Sequence, residues 1–268
     1  MMRLKVLVSL CFLVVAACES SPRQASGTAP EPVSKEVGSQ TSKPLADVAP
    51  ETSPAVDEQT PSPLEIPIVK EPVGQPPEGG WPMIILMHGF NSNHRDFIQV
   101  AELAASHGLY AVSIPAPLEG SRPGGYQWKR GDIALTHRYV QAIREDIANA
   151  TSASNDRIWL AGFSQGGLHG ASLVALYPEH YRGVLAISPA GWSPVPDAVK
   201  PSDLPREVFV VAGDNEPERY AKKTQEVEAL MKKAGLLEQS RRHPGAHHFP
   251  RDWRQQFGEV FVRWGKVK

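Results

Sequence analysis

The sequence predicts an α/β fold, a mainly parallel sheet with helices on both faces. Three observations predict it. From residue 81 onward, short and nearly continuous apolar runs recur, the mark of strands buried on both sides. Stretches of helical periodicity alternate with these runs instead of following them as a block. One of the runs leads into LAGFSQGGLHG (160–170), a serine flanked by glycines where a strand gives way to a helix.

Taken in order, the expected strands are MIILMH (83–88), LYAVSI (109–114), RIWLAG (157–162), GVLAIS (183–188), EVFVVAG (207–213) and a weaker LLEQSRR (236–242). The expected helices cover 95–107, 132–149, 166–177, 217–234 and 251–264. No internal repeat is visible. The 268 residues suffice for one sizeable core. With 28 basic and 29 acidic side chains the net charge is −1, which excludes a general electrostatic footprint for nucleic acid.

The chain ahead of residue 81 reads differently. MMRLKVLVSLCFLVVAAC places Arg3 and Lys5 before an apolar run over 6–17 that is short for a membrane span, so 1–17 reads as a signal peptide. Its end, VAAC, resembles a bacterial lipobox. That resemblance implies cleavage before Cys18 and a lipid on Cys18, tethering the protein to a membrane of the bacterial cell envelope, on its periplasmic face or at the cell surface. An ordinary secretory signal is the other reading. Cys11 and Cys18 are the only cysteines, so no disulfide is expected in the mature chain. Between 19 and 80 there is no Phe, Trp or Tyr, and 12 of the chain's 25 prolines fall there. Such a segment buries too little apolar surface to offset chain entropy, and 18–80 reads as a disordered tether spanning about 40–50 Å. Its last part, PLEIPIVKEP, can add an edge strand; the prolines argue against a central one. No obligate protein partner is evident.

The chemistry concentrates where the strands end. Ser164 sits on the strand-to-helix turn, with Gly162 and Gly166 removing side chains from a tight bend. A serine hydroxyl needs a base in hydrogen-bond reach and a third group to orient that base. DNEPER follows EVFVVAG and supplies Asp214 and Glu216; HPGAHHFP follows the last strand and supplies His243, His247 and His248. The order serine, acid, histidine suits a nucleophile elbow. The backbone N–H groups of Phe90, after MIILMHG, and of Gln165 are the candidate oxyanion donors, their side chains mattering less than their positions. A metal on the histidine cluster is disfavoured, because Pro244-Gly245 prevents the helix that an i, i+4 pair requires.

MHGFNSNHRDF, DRIWLAGFSQGG, VAGDNEP and PGAHHFP together resemble the phospholipase/carboxylesterase branch of the α/β-hydrolases, including acyl-protein thioesterase-like, polyhydroxybutyrate-depolymerase-like and feruloyl-esterase-like enzymes. The resemblance covers 81–268. It implies a minimal α/β-hydrolase fold with little or no cap, no metal or other cofactor, and hydrolysis of a carboxylic ester or thioester by Ser164 through an acyl-enzyme. The family's G-x-x-D-P acid maps onto Glu216, so Glu216 is preferred to Asp214, whose other reading is a helix N-cap. The family's H-x-W-P pattern maps onto His247, and a G-x-x-H match maps onto His248; His247 is preferred. Trp128 and Trp192 read either as walls of the substrate pocket or as anchors of their loops. His88 reads as a packed histidine at a strand end, with substrate contact as its other role. The reading from another class is a non-catalytic envelope lipoprotein with a hydrolase-like binding domain.

Overall fold

The structure is a computed structural model that describes residues 63–266. Cys18, the signal segment and most of the tether lie outside the described residues. Nine strands and five helices are described: β1 (Ile68–Lys70), β2 (Trp81–Met87), α1 (Ile98–Ser106), β3 (Tyr110–Ile114), β4 (Leu118–Glu119), β5 (Tyr126–Gln127), α2 (Ile133–Ala150), β6 (Ala153–Phe163), α3 (Gln165–Leu176), β7 (Gly183–Ile187), β8 (Glu207–Gly213), α4 (Glu218–Lys233), β9 (Leu237–His243) and α5 (Trp253–Gly265).

Seven strands form one sheet in the order β1-β3-β2-β6-β7-β8-β9. All neighbours run parallel except β1, which pairs antiparallel with β3. The α/β fold with a mainly parallel sheet, expected from the sequence, is the one observed. Strand β1 lies inside the segment read as tether, so the folded unit begins before residue 81. Pro67 and Pro72 bracket this three-residue strand, which occupies the edge, where a missing N–H costs least. At the opposite edge β9 carries Arg241 and Arg242, paired with Glu259 and Glu228, as suits a strand with one side open to water.

The alternation of side chains divides the core into two layers. Met83, Ile85 and Met87 of β2 face the layer closed by α2, α3 and α4. Ile84 and Leu86 face the layer closed by α1 and α5, where Phe257, Phe261 and Trp264 are buried. Helix α3 lies deepest, with every residue from Gln165 to Ala175 buried. The 4-residue extension of β6 beyond the expected 157–162 at its N-terminal end pairs with β2 only through Trp81 and Ala153, across a register shift. The two-residue strands β4 and β5 pair with each other outside the main sheet; too short for any alternation, they left no pattern in the sequence.

The chain passes from β2 to β3 on one side and then to β6 on the other, so β2 and β6 flank the point where the winding direction changes. In open α/β sheets such a point marks the crevice in which ligands bind, at the carboxyl ends of the strands.

Three histidines are held neutral by this core. Burial pushes His88 down to about 4, His137 to about 4 and His169 to about 3. The unfolded chain takes up protons on these rings near pH 6.5 while the folded chain does not, so stability falls as pH drops from about 6.5 toward 4. His88 alone contributes roughly 3 kcal/mol of this dependence. Urea unfolding midpoints should therefore decline steadily between pH 7 and pH 5, and a flat profile across that interval would refute the assignment.

Candidate active site

Ser164 follows β6 directly and is the N-cap of α3, with φ 53° and ψ −115°. Few residues other than glycine hold a positive φ without support. Here the Ser164 N–H donates to the Ile187 carbonyl at 2.9 Å, and the Ser164 carbonyl accepts from Leu168 and Ala190, each at 3.0 Å. The two flanking glycines are obligatory on contact grounds. A Cβ on Gly162 would strike the Gly166 backbone, and one on Gly166 would strike the Met87 carbonyl.

The bend directs the Ser164 hydroxyl to His247. Its Oγ lies 2.8 Å from His247 Nε2. The opposite ring nitrogen, Nδ1, lies 3.4 Å from Glu216 Oε1, at the outer limit of a hydrogen bond. The Glu216 side chain is fully buried and that of His247 is 19% exposed. Burial alone would raise the Glu216 carboxyl. The His247 ring, the Ser188 hydroxyl and the Gly213 N–H (3.4 Å) outweigh it and hold the group below its ordinary value. The imidazole is packed between rings, with Tyr220 at 4.5 Å and Phe163 at 4.9 Å between centroids.

The competing residues go elsewhere. Asp214 is exposed; its N–H donates to the His243 carbonyl at 2.8 Å, tying the end of β8 to β9. Nor is it a helix cap, since Pro217 occupies that position in α4 without a side-chain bond. His248 is exposed, with Nδ1 2.7 Å from the Phe249 carbonyl. His243 is buried beside it, ring centroids 5.3 Å apart.

Gln165 opens α3, where the first N–H groups have no helical partner. Among the described residues no hydrogen bond uses the N–H of Gln165 or of Phe90, and both residues line the cavity above Ser164. That arrangement can receive a negatively charged oxygen. The cavity has a volume of about 480 Å³.

Two expected substrate contacts are corrected. Trp128 and His88 do not line the cavity; they are buried beneath it, 1% and 0% exposed. The Trp128 indole N–H donates to the His88 carbonyl at 2.9 Å. Its backbone N–H donates to Gln165 Oε1 at 3.1 Å, and its carbonyl accepts from Gln165 Nε2 at 2.8 Å. His88 Nε2 accepts from the Ala116 N–H at 2.9 Å, which fixes the proton on Nδ1, where it donates to the Gly89 carbonyl at 2.8 Å. Trp128 thus fastens the loop after β2 to the elbow. The side chains of Gln165 and Phe90 also count for more than sequence position suggested: the first makes the paired bonds to Trp128, and the second forms a wall of the cavity. Trp192 is the tryptophan that lines it, 44% exposed and edge-on to Phe90 at 4.7 Å. Sequence reasoning missed Ser188, Tyr220 and Phe163; only the glycine-like backbone of Ser188 (φ 46°) marks its position as unusual, and that is invisible before the fold.

Comparisons with known proteins agree with this architecture. Residues 82–260 match the family model described as the alpha/beta hydrolase fold. NocK of Nocardia uniformis subsp. tsuyamanensis, a protein bearing an esterase designation, is 28% identical over 152 residues; the match spans 53% of this chain and only 42% of NocK. A Bacillus cereus carboxylesterase superposes with a TM-score of 0.61 at 17% identity, over 74% of this chain and 93% of that one. A Mesorhizobium loti carboxylesterase does so with a TM-score of 0.56 at 18% identity, over 67% and 88%. The chain belongs to the α/β-hydrolase fold family, and its fold is that of the carboxylesterases.

Proposed function

We propose that the protein is a serine hydrolase cleaving carboxylic esters or thioesters through an acyl-enzyme. The observation that carries the reading is the 2.8 Å approach of His247 Nε2 to Ser164 Oγ on a strained elbow. The likeness of fold to carboxylesterases and the esterase designation of NocK support it.

In this reading Ser164 Oγ attacks the carbonyl carbon as His247 Nε2 takes the hydroxyl proton. The carbonyl oxygen, now negative, is met by the N–H groups of Phe90 and Gln165. Glu216 stabilises the imidazolium across the ring and holds its orientation. The tetrahedral species collapses, the bond to the leaving oxygen or sulfur breaks, and that atom receives the proton from His247. Water then enters, gives a proton to His247 and attacks the acyl carbon; the proton returns to Ser164 as the acid departs. The protein's own groups supply every proton transfer. The reading extends to a lipid on Cys18 holding the domain at a membrane of the bacterial envelope; its support is the VAAC sequence at the end of the apolar run.

Ser164→Ala should lower hydrolysis of p-nitrophenyl butyrate by roughly a thousandfold or more; undiminished turnover would remove Ser164 as the nucleophile, and no turnover by the wild type would leave a binding module as the better description. Glu216→Gln should reduce kcat by about a hundredfold or more while Asp214→Asn stays within about twofold. The reverse ranking would transfer the orienting role to Asp214. Trp128→Phe leaves the buried His88 carbonyl without its donor, so urea unfolding should show a loss of about 1–3 kcal/mol together with a lower kcat; wild-type values for both would detach Trp128 from the site. Labelled palmitate should enter the full chain and be lost in Cys18→Ala, and retention of label in that variant would count against the anchor.

A further inference from the structure

The cavity above Ser164 has two unlike walls. One is aromatic: Phe90, Phe163 and Trp192, with Phe90 and Trp192 left 38% and 44% exposed. Exposed rings in mutual contact cost solvation and are typical of surfaces that receive a ligand. The other wall is cationic and comes from α4, which contributes Arg219, Lys222 and Lys223 against one carboxylate, Glu226. That carboxylate is already taken, 2.7 Å from Lys223 Nζ. Arg219 and Lys222 have no carboxylate partner among the described residues.

This excess is local, since the chain as a whole carries a net charge of −1. Lys222 stands four residues from both Glu218 and Glu226, a spacing that suits a helix, but helix stability does not account for Arg219. Arg219 stands in the first turn of α4, where the macrodipole disfavours a cation. Arg219, exposed like Lys222, has two contacts that orient it. Its Nη2 donates to the Tyr220 hydroxyl at 2.7 Å and its guanidinium lies 4.6 Å from the Tyr220 ring centroid. That ring in turn packs on His247. The cation is therefore fixed on a short path of contacts leading to the proposed base, at the rim of the cavity that would hold the acyl or leaving group.

We infer that this site selects esters carrying a negative charge alongside an aryl or alkyl group, with Arg219 and Lys222 receiving the anion and the aromatic wall receiving the apolar part. The inference rests on the hydrolase reading of the same site and narrows its substrate class. A partly enclosed cleft lined with unpaired cations concentrates anions and favours them over neutral molecules of the same shape.

Two matched substrate pairs test it on the purified protein. Mono-4-nitrophenyl adipate and 4-nitrophenyl hexanoate share chain length and leaving group and differ by a carboxylate on the acyl side. 4-Carboxyphenyl butyrate and phenyl butyrate place the charge on the leaving side. At least one anionic member should exceed its neutral partner in kcat/KM by roughly three- to tenfold, the sum expected of two partly exposed cations. The advantage should reside in KM and shrink as salt is raised. Lys222→Gln and Arg219→Gln should each lower that ratio, and Lys222→Glu should lower it further. Because Lys222 is exposed, its variants remain informative even if Arg219→Gln disturbs the helix. Ratios at or below one for both pairs, or ratios unmoved in both Lys222 variants, overturn the inference while Ser164-dependent hydrolysis of the neutral esters continues. Failure of the wild type to hydrolyse all four esters is a different result: it overturns the hydrolase reading, and the selectivity falls with it.

Discussion

The site depends on a backbone bend that would not exist in isolation. Ser164 holds a positive φ that costs a non-glycine residue on the order of 1–2 kcal/mol. The bend persists because the Ile187 carbonyl and the N–H groups of Leu168 and Ala190 all bond to the Ser164 backbone. It also needs Gly162 and Gly166 to leave room for each other and for β2. The gain is placement. The hydroxyl stands clear of the sheet, at the start of α3, where helix N–H groups and the macrodipole favour negative charge. Four further residues of the site come from loops at the same end of the sheet: Phe90 after β2, Ser188 after β7, Glu216 after β8 and His247 after β9.

Rigid strands do not by themselves align loops, and a second set of contacts does this here. Trp128 is bonded at once to the His88 carbonyl and to both polar atoms of the Gln165 side chain. The two N–H groups suited to an oxyanion belong to the segments so joined. A buried hydrogen bond contributes little net stability but is costly to leave half made, so such a clamp fixes position more than it adds energy. The acid is held in a comparable way. Glutamate is one methylene longer than the aspartate usual at this place, and its carboxylate accepts from the Gly213 N–H at 3.4 Å, with Ser188, in a left-handed conformation at the end of β7, beside it.

The sheet was readable from the sequence because parallel strands must be apolar on both faces, and β8 falls on the run that announced it, Glu207–Gly213. Helix ends fell within a few residues because caps and periodicity are local. What escaped was set by tertiary contact. The extension of β6 and the β4–β5 pair have no apolar rhythm, whereas β1 falls inside PLEIPIVKEP, where an edge strand was expected, and pairs there with β3. At the site, serine, acid and histidine were legible as candidates because strand-end chemistry has a fixed order along the chain. The choice between neighbours was not decidable from spacing: Glu216 and Asp214 are two residues apart and point to different surroundings, one sealed in and one in water. Trp128 and Trp192 posed the same ambiguity, and burial separates them, the first locking the loops and the second lining the cavity. The cations of α4 gave no signal at all, since a Lys/Arg-rich helix face reads as solvated until the fold turns it toward a cavity.

Burial also explains why only one of several nearby histidines suits the role of base. His88 is close to the oxyanion loop but lies in an apolar seat that pushes it down to about 4. Both of its nitrogens are committed to backbone, so it is a fixed strut and a poor proton acceptor at neutral pH. His169 is deeper still, set between Thr136 and Ser193 and pushed to about 3. His247 differs in kind. It is partly open to the cavity, has the Ser164 hydroxyl at one nitrogen, and has across the ring a carboxylate that stays ionised despite burial. A buried negative charge is expensive unless a positive one forms beside it. In the proposed mechanism that positive charge is the imidazolium formed when the Ser164 proton leaves, and Glu216 stands where it would stabilise it. The burial of Glu216 and the partial exposure of His247 are two halves of one electrostatic arrangement, and exchanging their environments would remove what suits the pair to the proposed proton transfer.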